Sequence, residues 1–257
     1  MNYDFGLTAT DYATHRAGFP PDLFARLQPY GIGLKGQRLL DLATGTGTLA
    51  RGFALRGCRV SGLDIAAPMM AQARELDQRA GVVVDYHLGR AEATGLPEGS
   101  FDVVTAGQSW HWFDARLATQ EILRLLRLGG AVLIASFDWL PRPGNLVAAM
   151  EALVKQHNPA WDKDGGCGIH PGRLNDLLDA GFVGLDSFSF DLDVPYTPEA
   201  WRGRIRASAG VGASLPPDAV ARFDDAHALL LQAHFPQAVL QVPHRVFAVI
   251  ARKPFAT

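Results

Sequence analysis

Only two cysteines occur in the 257 residues, Cys58 and Cys167, too few for a disulfide framework and too far apart for a C-x-x-C redox or metal pair. Cys167 and His170 do form a C-x-x-H pair, but no second pair of suitable spacing accompanies it, so no metal site is expected. No apolar run approaches membrane-spanning length, and the opening Met1-Asn2-Tyr3-Asp4-Phe5 has no basic stretch leading into an apolar one, so neither export nor embedding in a membrane is expected. Charge of one sign is not in excess either: the formal net charge is −2 with both signs interspersed, which leaves no basic stripe for nucleic acid or anionic lipid. Repeats and low-complexity tracts are absent. These exclusions point to a cytoplasmic protein whose partner is a small molecule; a monomer or homodimer is expected.

Against that background one stretch stands out. Arg38 to Ala50 runs as an apolar strand through Asp41 into the turn Gly45-Thr46-Gly47 and then a helix. Glycines let the backbone bend tightly and approach a ligand, and N–H groups at the start of a helix face whatever sits there. Asp64 closes the next apolar run, at the distance where an acidic side chain grips ribose hydroxyls. The expected cofactor is an adenosine derivative. Gly45-Thr46-Gly47-Thr48-Leu49-Ala50 also satisfies the dinucleotide pattern, so an NAD(P)-dependent oxidoreductase is the first alternative. Asp41 tips the choice, because a carboxylate four residues before Gly45 repels a pyrophosphate but accepts hydrogen bonds from a methionyl ammonium group.

Apolar runs of strand length alternate with amphipathic segments of helix length, the pattern of a doubly wound parallel sheet. Strands are expected at Leu39–Leu42, Arg59–Leu63, Val82–Tyr86, Phe101–Ala106 and Ala131–Phe137, with helices at Thr48–Arg56, Ala67–Gln78 and Phe113–Leu126. Gly129-Gly130 is expected to stop the chain before the last of these strands. Beyond Pro141 and Pro143 come helices at Asn145–Gln156 and Arg173–Leu178 and strands at Phe182–Val194 and Val242–Arg252. Two helices, Glu199–Ser208 and Pro217–His234, lie in an insertion between those strands that could cover a site as a lid or extend the core.

The series Leu40-Asp41-Leu42-Ala43-Thr44-Gly45-Thr46-Gly47, Gly62-Leu63-Asp64, Gly89-Arg90-Ala91-Glu92, Ser100 to Val104, Gln108 to Asp114 and Leu123 to Ile134 resembles the class I S-adenosylmethionine-dependent methyltransferases. It looks closest to the branch containing trans-aconitate methyltransferase. The resemblance covers about the first half of the chain. It implies a Rossmann-like α/β fold: a doubly wound seven-stranded sheet, mostly parallel with a C-terminal antiparallel hairpin, in a single domain over 1–257. N-terminal helices within 1–30 would cover the cofactor, and 195–241 would be the helical insertion.

By the same resemblance Asp41, Ala43, Gly45 and Gly47 surround the methionyl part, Asp64 binds the ribose, and Ile65 and Met69 lie against the adenine. Ala91 and Glu92 read its edge, Tyr12 and Arg16 close the pocket or else cover the sheet edge, and Gln108 serves the methionyl end or a structural hydrogen bond. Arg90, where many relatives carry aspartate, and Leu128, where proline is common, depart from the family pattern.

Methyl transfer from a sulfonium to a nucleophile, leaving S-adenosylhomocysteine, needs orientation and exclusion of water more than a base. Trp110-His111-Trp112 directly follows the fourth strand, at the carboxyl edge where open α/β sheets bind ligands. His111 is therefore the candidate catalytic residue and the two tryptophans candidate acceptor contacts, with a core role for the tryptophans as the alternative. Trp201, Arg202 and Arg206 form a candidate aromatic wall and cationic clamp for an anionic acceptor, though such spacing also suits a solvated helix face. The acceptor is a small molecule bearing a carboxylate, thiol, phenol or activated carbon. A non-catalytic module that binds the same cofactor and regulates a partner is the second alternative.

Overall fold

The computed structural model describes residues 17–255. Tyr12, Arg16 and the first sixteen residues of the covering segment expected over 1–30 lie outside the described residues. Two compact units are formed: one from Gly18–Phe137, His170–Ser189 and the chain from Val246, the other from Asp138–Ile169 and Phe190–Arg245.

The sheet has seven strands in the order β3-β2-β1-β4-β5-β7-β6, where β1 is Arg38–Leu42, β2 Arg59–Asp64, β3 Val84–Leu88, β4 Phe101–Gly107, β5 Leu126–Trp139, β6 Val183–Tyr196 and β7 Leu240–Arg252. The pairs β1 with β2, β1 with β4, β2 with β3 and β4 with β5 are all parallel. Parallel neighbours need a crossover, and helices supply it. After the short helix α1 (Pro21–Leu27), α2 (Thr48–Ala54) joins β1 to β2, α3 (Ala67–Ala80) joins β2 to β3 and α4 (Ala115–Leu125) joins β4 to β5. In β5, Gly129 N–H donates to Lys253 O at 3.1 Å and Lys253 N–H donates to Gly130 O at 2.9 Å, so the chain running out of β7 returns antiparallel.

The first unit's core is the apolar content of these strands and of the helix faces against them. Leu39, Leu40, Leu42, Val104, Val132, Leu133 and Ile134 are fully buried, together with Phe53 of α2 and Ile122 and Leu125 of α4. Each such side chain contributes about 2 kcal/mol by leaving water. Asp114 caps α4, its side chain accepting from Leu117 N–H at 3.0 Å.

Several boundaries differ from those read in the sequence, and two of the differences have a clear physical cause. The third strand begins at Val84 rather than Val82, because α3 ends on left-handed Gly81 and Val82 N–H reaches back to Asp77 O at 3.0 Å, closing the helix end. The fifth strand begins at Leu126, and the glycines expected to interrupt the chain lie inside it. Gly129 carries φ +70° there while the Lys253 pairing keeps the ladder bonded.

The second unit gathers helices α5 (Leu146–His157), α7 (Pro198–Arg206) and α8 (Pro217–His234), while α6 (Gly172–Asp179) belongs to the first. Asn145 and Thr197 cap α5 and α7 by accepting from Ala148 and Ala200 N–H. A separate core of Leu146, Val147, Met150, Tyr196, Trp201, Ile205, Phe223 and neighbouring apolar groups holds these helices together. Among the described residues no helix is long and apolar enough to cross a membrane.

Candidate functional site

The turn after β1 is built from backbone strain that its neighbours hold in place. Ala43, Gly45 and Gly47 have φ of 49°, 57° and 75°. For Ala43 that conformation costs about 1–2 kcal/mol, because its Cβ crowds the following carbonyl. Thr44 N–H donates to Leu63 O at 3.0 Å and Gly47 N–H to Thr44 O at 2.9 Å. Gly45 N–H donates to Asp64 Oδ2 at 2.7 Å. A Cβ on Gly47 would lie 2.5 Å from the Tyr86 hydroxyl, so glycine is required there twice over.

Asp41 sits at the floor of the turn, only 2% exposed. Its Oδ1 accepts from Thr105 Oγ1 and its Oδ2 from Thr44 Oγ1, each at 2.7 Å. Burial pushes its carboxyl up to about 6, against the lowering effect of those two hydroxyls. No cationic side chain among the described residues pairs with it. Asp64, at the end of β2, accepts from Gly45 N–H and, at 2.8 Å, from Ala66 N–H, and burial raises its pKa as well. Each of its oxygens keeps a further lone pair. Two desolvated carboxylates thus bracket one strained turn, an arrangement that favours a ligand with a cationic group and hydroxyl donors over a phosphate.

Around this pair, Met69 is buried with its Cε 3.5 Å from the place of a Gly45 Cβ, while Ile65 is 71% exposed. Ala91 is buried. Glu92 accepts from Asp114 N–H at 3.2 Å and lies 3.6 Å from Arg90 Nε, so the arginine that departs from the family pattern pairs with the neighbouring glutamate. Gln108 has φ 60°, and its amide donates to Phe137 O while its N–H donates to Ala135 O at 2.8 Å.

Trp110-His111-Trp112 form one 3-10 turn at the carboxyl end of β4. Trp110 points inward, its indole N–H donating to Asp176 of α6 at 2.7 Å and its ring packing edge-on to Phe113. His111 and Trp112 are exposed, with ring centroids 4.4 Å apart.

In the second unit the expected wall and clamp are absent. Trp201 is fully buried between Trp139 and Tyr196. Arg202 and Arg206 both pair with Asp224 of α8 and with Glu199, so their charge is spent holding α7 to α8.

Sequence reading missed Thr44 and Thr105 as the groups that hold Asp41, although a lone hydroxyl inside Val103-Val104-Thr105-Ala106 was the available signal. It also missed Arg51, Asp77 and Tyr86, which share no motif and meet only in three dimensions.

Residues 40–134 match the model of a family described as a methyltransferase domain. An uncharacterized methyltransferase of Mycobacterium bovis is 34% identical over 131 residues, 51% of this chain and 50% of that protein. The chain therefore spans about half the length of the curated relatives it matches. Among solved structures, the YcgJ protein of Bacillus subtilis superposes with TM-score 0.58 at 18% identity, over 91% of this chain and 98% of that one. The Haemonchus contortus phosphoethanolamine N-methyltransferase 2, in complex with phosphomonomethylethanolamine and S-adenosylhomocysteine, superposes with TM-score 0.58 at 22% identity, over 97% of this chain and 57% of that one. At such identities these structures speak for the fold.

Proposed function

We propose that this chain is a class I S-adenosylmethionine-dependent methyltransferase that methylates a small-molecule acceptor, a reading supported by its methyltransferase-domain match at residues 40–134 and its seven-stranded sheet. S-adenosylmethionine is the cofactor. The observation that carries this reading is the buried, hydroxyl-held Asp41 with no cationic partner among the described residues, at the floor of a turn that Asp64 fixes from the next strand. When bound, the cofactor supplies a methyl group on a sulfonium whose charge disappears during transfer.

The chain's own part is to bind and orient. Asp41 accepts from the methionyl ammonium, its burial making that interaction strong, and the Ala43, Gly45 and Gly47 backbone follows the methionyl part. Asp64 accepts from the ribose hydroxyls with its spare lone pairs. Met69 and Ile65 pack on the adenine, with Ala91 N–H and Glu92 at its edge. Gln108 shapes the methionyl end indirectly, through its bond to Phe137 O. His111 and Trp112, exposed beside the end of β4, contact the acceptor, and Trp110 anchors them from below. The acceptor is a carboxylate, thiol, phenol or activated carbon, and the protein works in the cytoplasm as a monomer or homodimer.

Calorimetry with S-adenosylhomocysteine and with NADH and NADPH tests the cofactor, and methyl-labelled donor with a panel of small acceptors tests the reaction. Binding of S-adenosylhomocysteine alone, with label entering an acceptor, is expected. Binding of a nicotinamide dinucleotide instead would replace this reading with an oxidoreductase. Tight S-adenosylhomocysteine binding without transfer to any acceptor would favour a regulatory module.

A further inference from the structure

Three polar side chains from three elements converge behind the Thr46-Gly47 peptide. Arg51 of α2 donates through Nη2 to Thr46 O at 2.8 Å and to Ala73 O at 3.3 Å. Its Nε lies 2.8 Å from Asp77 Oδ1, an ion pair of good distance whose angle falls outside hydrogen-bond geometry. Tyr86 of β3 donates to the other Asp77 oxygen at 2.7 Å. Asp77 is 4% exposed, and its own backbone carbonyl is tied down by the N–H groups of Gly81 and Val82. Burial, then the Asp77 carboxylate, raise the Tyr86 pKa, so the phenol remains a donor.

We propose that Arg51, Asp77 and Tyr86 are positioning residues that hold the Thr46 carbonyl and the left-handed Gly47 in the cofactor-binding conformation before any ligand arrives. The proposal rests on the methyltransferase reading only for the identity of that ligand. Stability alone is a poor reason for the cluster, since a buried ion pair is often replaced by apolar groups without loss. Its geometry gives a better one. Asp77 fixes the guanidinium from one side, the guanidinium fixes Thr46 O from the other, and the Tyr86 hydroxyl occupies the space a Gly47 Cβ would need. Asp77 also neutralises Arg51, so that no uncompensated cation stands behind a site for a cationic cofactor.

The test is hydrogen exchange on the ligand-free full chain, wild type against Asp77→Asn and Tyr86→Phe, with calorimetric titration of S-adenosylhomocysteine on the same samples. In Asp77→Asn, exchange at the Thr46–Leu49 amides is expected to rise about tenfold while β1 and β4 keep wild-type protection, and affinity to fall about tenfold. Tyr86→Phe keeps the ion pair and is expected to give about a threefold change in both; it decides the matter if Asp77→Asn does not fold. Turn exchange within about twofold of wild type in the folded variants, or a rise spread equally through β1 and β4, would overturn the proposal. Wild-type protein that fails to bind S-adenosylhomocysteine would strike the functional reading instead, and the exchange result would still decide the role of the cluster.

Discussion

Thr105 and Asp41 face each other across the parallel β4 and β1 strands, and the threonine hydroxyl donates to the carboxylate at 2.7 Å. Thr44 holds the second oxygen, so a desolvated charge is fixed in one orientation by two rotatable hydroxyls. Such an arrangement costs stability, and under the proposed function it prepares binding; both consequences are measurable.

Asp41→Asn is expected to raise stability and remove cofactor binding. The unfolded carboxyl ionises at 3.8 and the folded one at about 6. Between those values the folded state keeps a proton that the unfolded state has lost, so stability falls as pH rises through the interval. Above about 6 the full cost, about 3 kcal/mol, is present. The amide removes it, and the Thr44 and Thr105 hydroxyls can rotate to suit. Thermal melts at pH 7.5 should show a higher Tm and calorimetry no S-adenosylhomocysteine binding; a lower Tm would contradict the account.

Cofactor affinity of the wild type should rise with pH through about 6 and level off above it, because the ionised Asp41 is the acceptor. Titrations between pH 5 and pH 8 measure this. A flat profile would remove Asp41 from the binding role.

Gly47→Ala should lose cofactor binding and destabilise the fold by at least about 1–2 kcal/mol, from the positive φ and from the clash with Tyr86. Gly81→Ala shares the positive φ but meets nothing within 4 Å. It should therefore cost about 1 kcal/mol and leave affinity intact. Urea melts with paired titrations separate the two.

Trp110→Phe should leave cofactor affinity unchanged and lower kcat, since it frees Asp176 and loosens the turn that carries His111 and Trp112. The stability cost is about 1–2 kcal/mol for the lost charge-assisted bond. An unchanged kcat would detach that turn from the acceptor.

Asp224→Ala should destabilise the second unit by about 1–3 kcal/mol, because Arg202 and Arg206 lose their shared carboxylate. Cofactor affinity should not move. A loss of affinity instead would restore a ligand role to these arginines.

The first half of the chain was legible because its signals are local. Strand length, turn glycines and an acid at the end of a strand all act within a few residues of themselves. The reading erred where long-range pairing overrode local preference, as when Lys253 drew Gly129 and Gly130 into β5. It erred also where spacing along a helix cannot say which face is buried, as with Trp201, Arg202 and Arg206.

By itself, the sequence determined the class of fold, the glycine turn after β1 and the two carboxylates beside it, because backbone conformation and alternation of apolar residues depend on near neighbours. Only the tertiary structure decided the state of those groups. It buried Asp41 between two hydroxyls and turned Gly45 N–H to Asp64. It divided Trp110 from His111 and Trp112, and it brought Arg51, Asp77 and Tyr86 behind Thr46. Desolvation and hydrogen bonding between distant residues exist only once the chain is packed, and they convert a legible motif into a site with a particular charge and shape.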